Sequence, residues 1–123
     1  MGNQSVLVLA IGILAMSTAC SSGGSGGSTT VVNVDAFEYP MVSSDAAAGQ
    51  EVYATFCEGC HPNGMEGDGP AIVGDMLTPA QMRWRVRSGE GGMPGFDASK
   101  ISKTELDDLL AYTATFQAVN LGQ

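Results

Sequence analysis

The chain has 123 residues, with 13 acidic and five basic side chains and a formal net charge of −8. That length suits one small domain rather than two, and the acidic balance argues against nucleic acid or anionic lipid as the main binding surface. The single histidine excludes sites that need two imidazoles from one subunit, such as a multi-histidine zinc site.

The first 19 residues predict an export signal. Residues 6–16, VLVLAIGILAM, form an apolar run that is too short for a hydrocarbon core of about 30 Å but is typical of a signal peptide. Cys20 directly follows small residues, a pattern that resembles a bacterial lipobox and implies lipidation of Cys20. Ser17 stands where Leu is usual, so simple cleavage after Ala19, leaving a free thiol, is the alternative. We expect a periplasmic protein tethered to a membrane only through this lipid.

Residues 20–44 are predicted to be a flexible linker. The stretch 21–30, SSGGSGGSTT, has no side chains that could build a packed core. Val32 and Val34 alternate with polar residues, so the end of the segment could instead form a short strand or lie along the domain. We place the domain itself at residues 45–123.

The first helix of the domain is predicted over residues 46–56, with Asp45 as its N-cap. Residues at helical spacing form one face of this helix, which consists of Gly49, Val52, Tyr53 and Phe56. A glycine on a buried helix face is costly unless another backbone crosses closely there. We therefore expect a partner helix to cross at Gly49.

A second helix is predicted to begin at Thr78-Pro79, with a capping box to Gln81, and to stop at Gly89. Three of the five basic residues lie in it and flank Trp84; they are Arg83, Arg85 and Arg87. These arginines either form a solvated helix face, or one of them, or the Trp84 N–H, pairs with an anionic group of a ligand. Trp84 and Arg85 are the candidates for that contact.

A third helix is predicted to begin at Ser102, with a capping box to Glu105, and to end at Gly122. Its apolar face is predicted to comprise Leu106, Leu109, Leu110 and Thr113, and to be extended by Tyr112, Phe116 and Val119. Since no strand-rich element separates the three helices, we predict an all-α domain.

The motif Cys57-Glu58-Gly59-Cys60-His61 directly follows the first helix. This C-x-x-C-H pattern predicts covalent haem, because two thiols at this spacing reach the two vinyl groups of a porphyrin and the next residue places an imidazole at the iron. A redox dithiol needs no following histidine, zinc needs more ligands, and a structural disulfide leaves His61 unexplained.

The sixth coordination position of the iron is either filled by a ligand or vacant. The candidates for that ligand are methionines. Met93 lies in the glycine-rich loop Gly-Gly-Met-Pro-Gly-Phe, residues 91–96, which suits a single side chain held toward a metal. We therefore predict Met93 as that ligand. Its thioether is a soft, neutral ligand that favours reduced iron. Met41, Met76 and Met82 are interpreted as packing groups, and Met65 lies close after His61.

Together these motifs resemble class I monohaem cytochrome c of the small bacterial type. The resemblance covers roughly residues 45–119 and rests on AAAGQEVYATF before CEGCH, then GDGP, MPGF and ELDDLLAY. It implies a fold of about three helices around one covalent haem c. It also implies that Gly49 and Tyr53 meet Leu109 and Tyr112 where the terminal helices cross.

The same resemblance implies that the Pro70 carbonyl accepts a hydrogen bond from the His61 ring. Only 32 residues separate His61 and Met93, fewer than is common in the family, so the loop over the propionate edge is expected to be short.

The expected function is that of a monomeric one-electron carrier that docks transiently with redox proteins, rather than an enzyme. If side chains fill both axial positions of the iron, no site remains for a substrate. The alternative is a peroxidase or gas sensor in which Met93 dissociates. An absorbance band at the far-red end of the oxidised spectrum, which the resemblance implies for methionine–iron ligation, separates the two.

Overall fold

The computed structural model describes residues 33–122. The predicted signal peptide, Cys20 and the Gly/Ser stretch lie outside the described residues. The elements, in chain order, are a 3₁₀ helix Asp35–Phe37, helix α1 Ala46–Phe56, a 3₁₀ helix Pro62–Gly64, helix α2 Pro79–Ser88 and helix α3 Lys103–Ala114.

Within residues 33–122, β-structure is limited to two isolated bridges, Leu77 with Val119 and Glu90 with Met93. The all-α prediction is therefore confirmed. None of the helices in this range combines the length and the apolar character that crossing a membrane requires.

The three helices begin where their local capping residues predict. Asp45 accepts hydrogen bonds from the backbone N–H groups of Ala47 and Ala48, at 3.0 and 3.1 Å. Capping boxes at the starts of α2 and α3 are complete, with reciprocal bonds between Thr78 and Gln81 and between Ser102 and Glu105. Gly89 ends α2 with a φ of 70°, in the left-handed region that favours glycine.

Helices α1 and α3 cross at Gly49, as predicted. A Cβ built on Gly49 would lie 1.9 Å from the Asp108 carbonyl oxygen and 2.9 Å from the Leu109 nitrogen. Next to this crossing, the rings of Tyr53 and Tyr112 are 5.3 Å apart between centroids. The crossing brings Tyr53 (1% exposed) and Leu109 (2%) into one buried core.

The predicted extension of α3 to Gly122 is wrong, because the helix ends at Ala114. Gln117, three residues beyond that end, has a φ of 63°, so the chain does not resume a helix there. The following backbone then pairs with a loop instead, since Leu77 N–H donates to the Ala118 carbonyl and Asn120 N–H to the Leu77 carbonyl. Ala118 and Val119 are still buried, so their apolar character reflects core packing rather than helix.

The predicted linker does not extend to residue 44. Residues 35–42, which we call the strap, contact the domain through Arg83 of α2. The Val42 N–H also donates to an oxygen of Asp107 at 2.8 Å. Because buried donors and acceptors of the helices bind the strap backbone, the strap belongs to the folded domain.

Candidate haem site

A cavity of about 400 Å³ lies between the segment after α1, helix α2 and the loop after α2. Its volume falls within the range of roughly 300–1,000 Å³ that is usual for cofactor pockets. The predicted site residues in its lining are Cys57, Cys60, His61, Pro70, Arg85 and Met93. The remaining wall is largely apolar and includes Phe56, Ile72, Leu77, Met82, Val86, Phe96 and Leu109.

The orientation of the His61 ring is set by its neighbours. Its Nδ1 lies 2.7 Å from the Pro70 carbonyl oxygen, so that nitrogen carries the hydrogen and donates, leaving the Nε2 lone pair for a metal. A Cβ on Gly69 would lie 2.5 Å from the ring, so only glycine leaves room for it. The Tyr53 hydroxyl donates to the His61 carbonyl and accepts from the Gly64 N–H at 2.9 Å. Burial is the main cause that raises the pKa of Tyr53, to about 12.

Cys57 and Cys60 lie in the turn that carries the chain from α1 to His61. The backbone N–H groups of Cys60 and His61 donate to the Cys57 carbonyl, at 3.1 and 2.9 Å. Burial raises the pKa of the Cys57 thiol to about 12. A catalytic redox dithiol has a lowered pKa, so this environment argues against the dithiol alternative.

The loop that carries Met93 is held by tight backbone contacts. Glu90 and Met93 exchange backbone hydrogen bonds, at 3.1 and 2.9 Å. A Cβ on Gly89 would lie 2.4 Å from the Met93 carbonyl oxygen, and one on Gly95 would lie 2.5 Å from the Arg87 carbonyl oxygen. The two glycines therefore allow the loop to fold back onto the end of α2, which places Met93 in the cavity wall.

Met82 and Met93 are the two methionines in the cavity lining. Met65 and Met76 are 55% and 50% exposed and do not contribute to it. Met41 lies in the strap, where its sulfur is 3.3 Å from an Arg83 nitrogen. Met82, which the sequence analysis interpreted as a packing group, is 7% exposed and also borders the cavity.

Of the two side chains predicted to face an anionic group, Arg85 lines the cavity and Trp84 does not. Arg85 Nε lies 2.8 Å from Glu90 Oε2, but its N–H is not aimed at that oxygen and has no other hydrogen-bond acceptor among residues 33–122. A buried N–H without an acceptor, at the wall of a cavity, fits a ligand that carries a carboxylate. Trp84 is half-buried on another face of α2.

Several residues of the cavity wall were not recognised in the sequence. Asp68, Asp75 and Glu90 are exposed acidic side chains in its lining. Gly69, against the His61 ring, lies within the GDGP motif, but that motif was interpreted only through its proline. The sequence did not indicate which acidic residues would lie at the cavity, because 13 acidic residues are distributed along the chain.

One apolar cavity thus brings the two thiols and the following imidazole close to a thioether from a separate loop, an arrangement that fits a c-type cytochrome domain. Residues 44–112 match the family described as cytochrome c oxidase, cbb3-type, subunit III, and the chain belongs to this family of cytochrome c domains. Haem c is accordingly its cofactor, and Cys57 and Cys60 have the C-x-x-C-H spacing that covalent attachment of haem requires.

The chain is also similar to a cytochrome c6 from Picosynechococcus sp. (strain ATCC 27264 / PCC 7002 / PR-6). The two are 28% identical over 101 residues, which cover 70% of this chain and 86% of the relative. No solved structure matches the chain.

Proposed function

We propose that the protein is a one-electron carrier whose haem iron is held between His61 and Met93. The observation that carries this proposal is that both side chains, from two separate segments, line the same cavity as Cys57 and Cys60. Haem iron supplies reversible one-electron chemistry. With His61 and Met93 both holding the iron, no coordination site would be left for a substrate.

The surrounding residues favour electron transfer over bond-making chemistry. The Pro70 carbonyl holds the His61 ring in one orientation and leaves Nε2 free to bind the iron. The Met93 thioether is a soft, neutral ligand that favours reduced iron. The largely apolar wall would limit water around a bound haem, and this would limit reorganisation when the charge of the iron changes. We propose that Arg85, which lines the cavity, pairs with a propionate of the haem.

The surface suits brief contacts with redox partners. The exposed side chains of Asp68, Asp75 and Glu90 lie at the cavity, and the whole chain carries a net charge of −8. Negative charge around the cavity raises the encounter rate with a basic partner more than it raises the affinity for that partner. We propose a monomer that works outside the cytoplasm after export, with Cys20 lipidated and tethering the domain to a membrane.

The replacement of Met93 by alanine tests the ligand assignment. His61 is the only histidine, so no imidazole of this chain can take the vacant position. Met93→Ala is expected to abolish the far-red band of the oxidised protein, lower the reduction potential and allow the reduced protein to bind carbon monoxide. Met65→Ala and Met76→Ala are the controls and should leave the spectrum unchanged, because both side chains are exposed outside the cavity.

Two results would contradict the proposal. Loss of the band in Met82→Ala, with the band retained in Met93→Ala, would make Met82 the ligand. Rapid carbon monoxide binding by the unmodified reduced protein would instead support the sensor or peroxidase alternative, in which Met93 dissociates.

A further inference from the structure

Arg83 is a buried cation whose partners come from two segments outside its own helix. Its side chain is 1% exposed, and its Nη2 lies 2.8 Å from Oδ1 of Asp107 in α3. The Nε–H donates to the same oxygen at 2.9 Å. The Nη1 group donates to the strap carbonyls of Phe37 and Tyr39, at 3.1 and 2.7 Å. One guanidinium therefore binds α3 and the strap at the same time.

The strap and α3 are also bound to each other around this cation. The second oxygen of Asp107 accepts the Val42 N–H at 2.8 Å. The Tyr39 ring stacks on the guanidinium, with its centroid 3.8 Å from the central carbon. The strap, α2 and α3 thus form a closed ring of polar contacts around Arg83.

Stability alone does not explain a buried ion pair at this place. Desolvation of both charges offsets much of their attraction, and a well-packed apolar side chain of similar volume is often as stabilising. What arginine provides is a planar fork of donors whose bonds define one orientation. Arg83 is therefore suited to setting the position of α2 rather than merely filling space.

The position of α2 decides the position of the Met93 loop. Met82, Arg85 and Val86 of α2 line the cavity, whereas Arg83 does not. The loop that follows is tied back to the helix, because the Phe96 N–H donates to the Val86 carbonyl at 2.8 Å. A shift or rotation of α2 would carry this loop with it.

We infer that Arg83 is a positioning residue for the haem site. By binding Asp107 and the strap together, it holds α2 at the orientation that keeps Met93 in the cavity wall. This inference rests on the proposed function, since it takes Met93 as the axial ligand. It assigns the strap a role in the redox site in addition to its place in the fold.

Two neighbouring aspartates of α3 allow a matched test in the full-length, haem-loaded protein. Asp107 and Asp108 are both buried, and each accepts a backbone N–H, but only Asp107 pairs with Arg83. Asp107→Asn and Asp108→Asn each remove one buried negative charge from α3. The measured quantities are the far-red band and the rate at which the oxidised protein binds cyanide, which must wait for Met93 to leave the iron.

Asp107→Asn is expected to weaken the band and to bind cyanide about tenfold faster than the unmodified protein, the scale of effect that networks between sites produce. Asp108→Asn should keep the band and the original rate. Tyr39→Leu removes the stacked ring but keeps the carbonyl, and it should also accelerate cyanide binding. It provides the test from the strap side if Asp107→Asn does not fold.

The inference is overturned if the folded Asp107 and Tyr39 variants bind cyanide at the original rate with an intact band. It is also overturned if Asp108→Asn accelerates binding as much as Asp107→Asn, because the effect would then follow from charge removal in α3. If the unmodified protein itself lacks the band, the ligation by Met93 fails, and the inference fails with it for that separate reason.

Discussion

Gly49 of α1 and Asp108 of α3 meet backbone to backbone, so closely that a Cβ on Gly49 would lie 1.9 Å from the Asp108 carbonyl oxygen. The two helices can cross at this distance only because residue 49 has no side chain. The same contact places Tyr53, one turn further along α1, against Tyr112 of α3. The crossing thereby supports the segment that carries Cys57, Cys60 and His61.

Gly49→Ala is expected to lower the free energy of unfolding by about 3 kcal/mol, because the added methyl group forces the helices apart. Helix propensity alone would give the opposite sign, a gain of about 1 kcal/mol. Chemical denaturation followed by circular dichroism measures the change. Gly59→Ala is the control, since a Cβ there has no atom within 4 Å. Equal stability of both variants would show that the helices do not cross at Gly49.

Gly69→Ala is expected to displace the His61 ring, because the new Cβ would lie 2.5 Å from Cε1. The hydrogen bond from Nδ1 to the Pro70 carbonyl would be lost, and stability should fall by about 1–3 kcal/mol. The haem-to-protein ratio and the visible spectrum of the purified protein measure the effect on the site. A normal spectrum would contradict the close contact between Gly69 and the ring.

Tyr53→Phe is expected to change how stability depends on alkaline pH. The pKa of Tyr53 is raised to about 12 in the folded protein, so between pH 10 and 12 the unfolded chain loses this proton while the folded chain keeps it. Stability is fully present below pH 10 and decreases as the pH rises through this window. The phenylalanine variant, although less stable at neutral pH, should lack this part of the decrease. Denaturation midpoints of both proteins across the window measure the difference, and parallel curves would contradict it.

Cys20→Ala tests the predicted lipid anchor. If Cys20 is lipidated, the unmodified protein partitions with membranes and the variant moves to the soluble fraction. Fractionation of cells that express each form measures this distribution. A soluble distribution for both forms would favour simple cleavage after Ala19.

The helix starts and the ligand motif follow from local interactions, and the sequence alone determined them. Asp45, the Thr78–Gln81 pair and the Ser102–Glu105 pair bond to backbone groups within three residues, so their effect does not depend on the rest of the fold. Cys57, Cys60 and His61 are adjacent along the chain, and their chemistry is readable from that spacing alone.

Tertiary structure alone decided three features: where α3 ends, what the strap does, and that Arg85 rather than Trp84 lines the cavity. Successive residues of a helix point about 100° apart, so the sequence alone did not decide which of the two neighbours would line the cavity. Phe116 and Val119 continue the apolar spacing of α3, yet the backbone bonds to the loop around Leu77 end the helix first. Arg83 carries a charge that predicts exposure, but acceptors from Phe37, Tyr39 and Asp107 meet around it. Those residues lie 24 to 46 positions away along the chain, and only the folded packing brings them together.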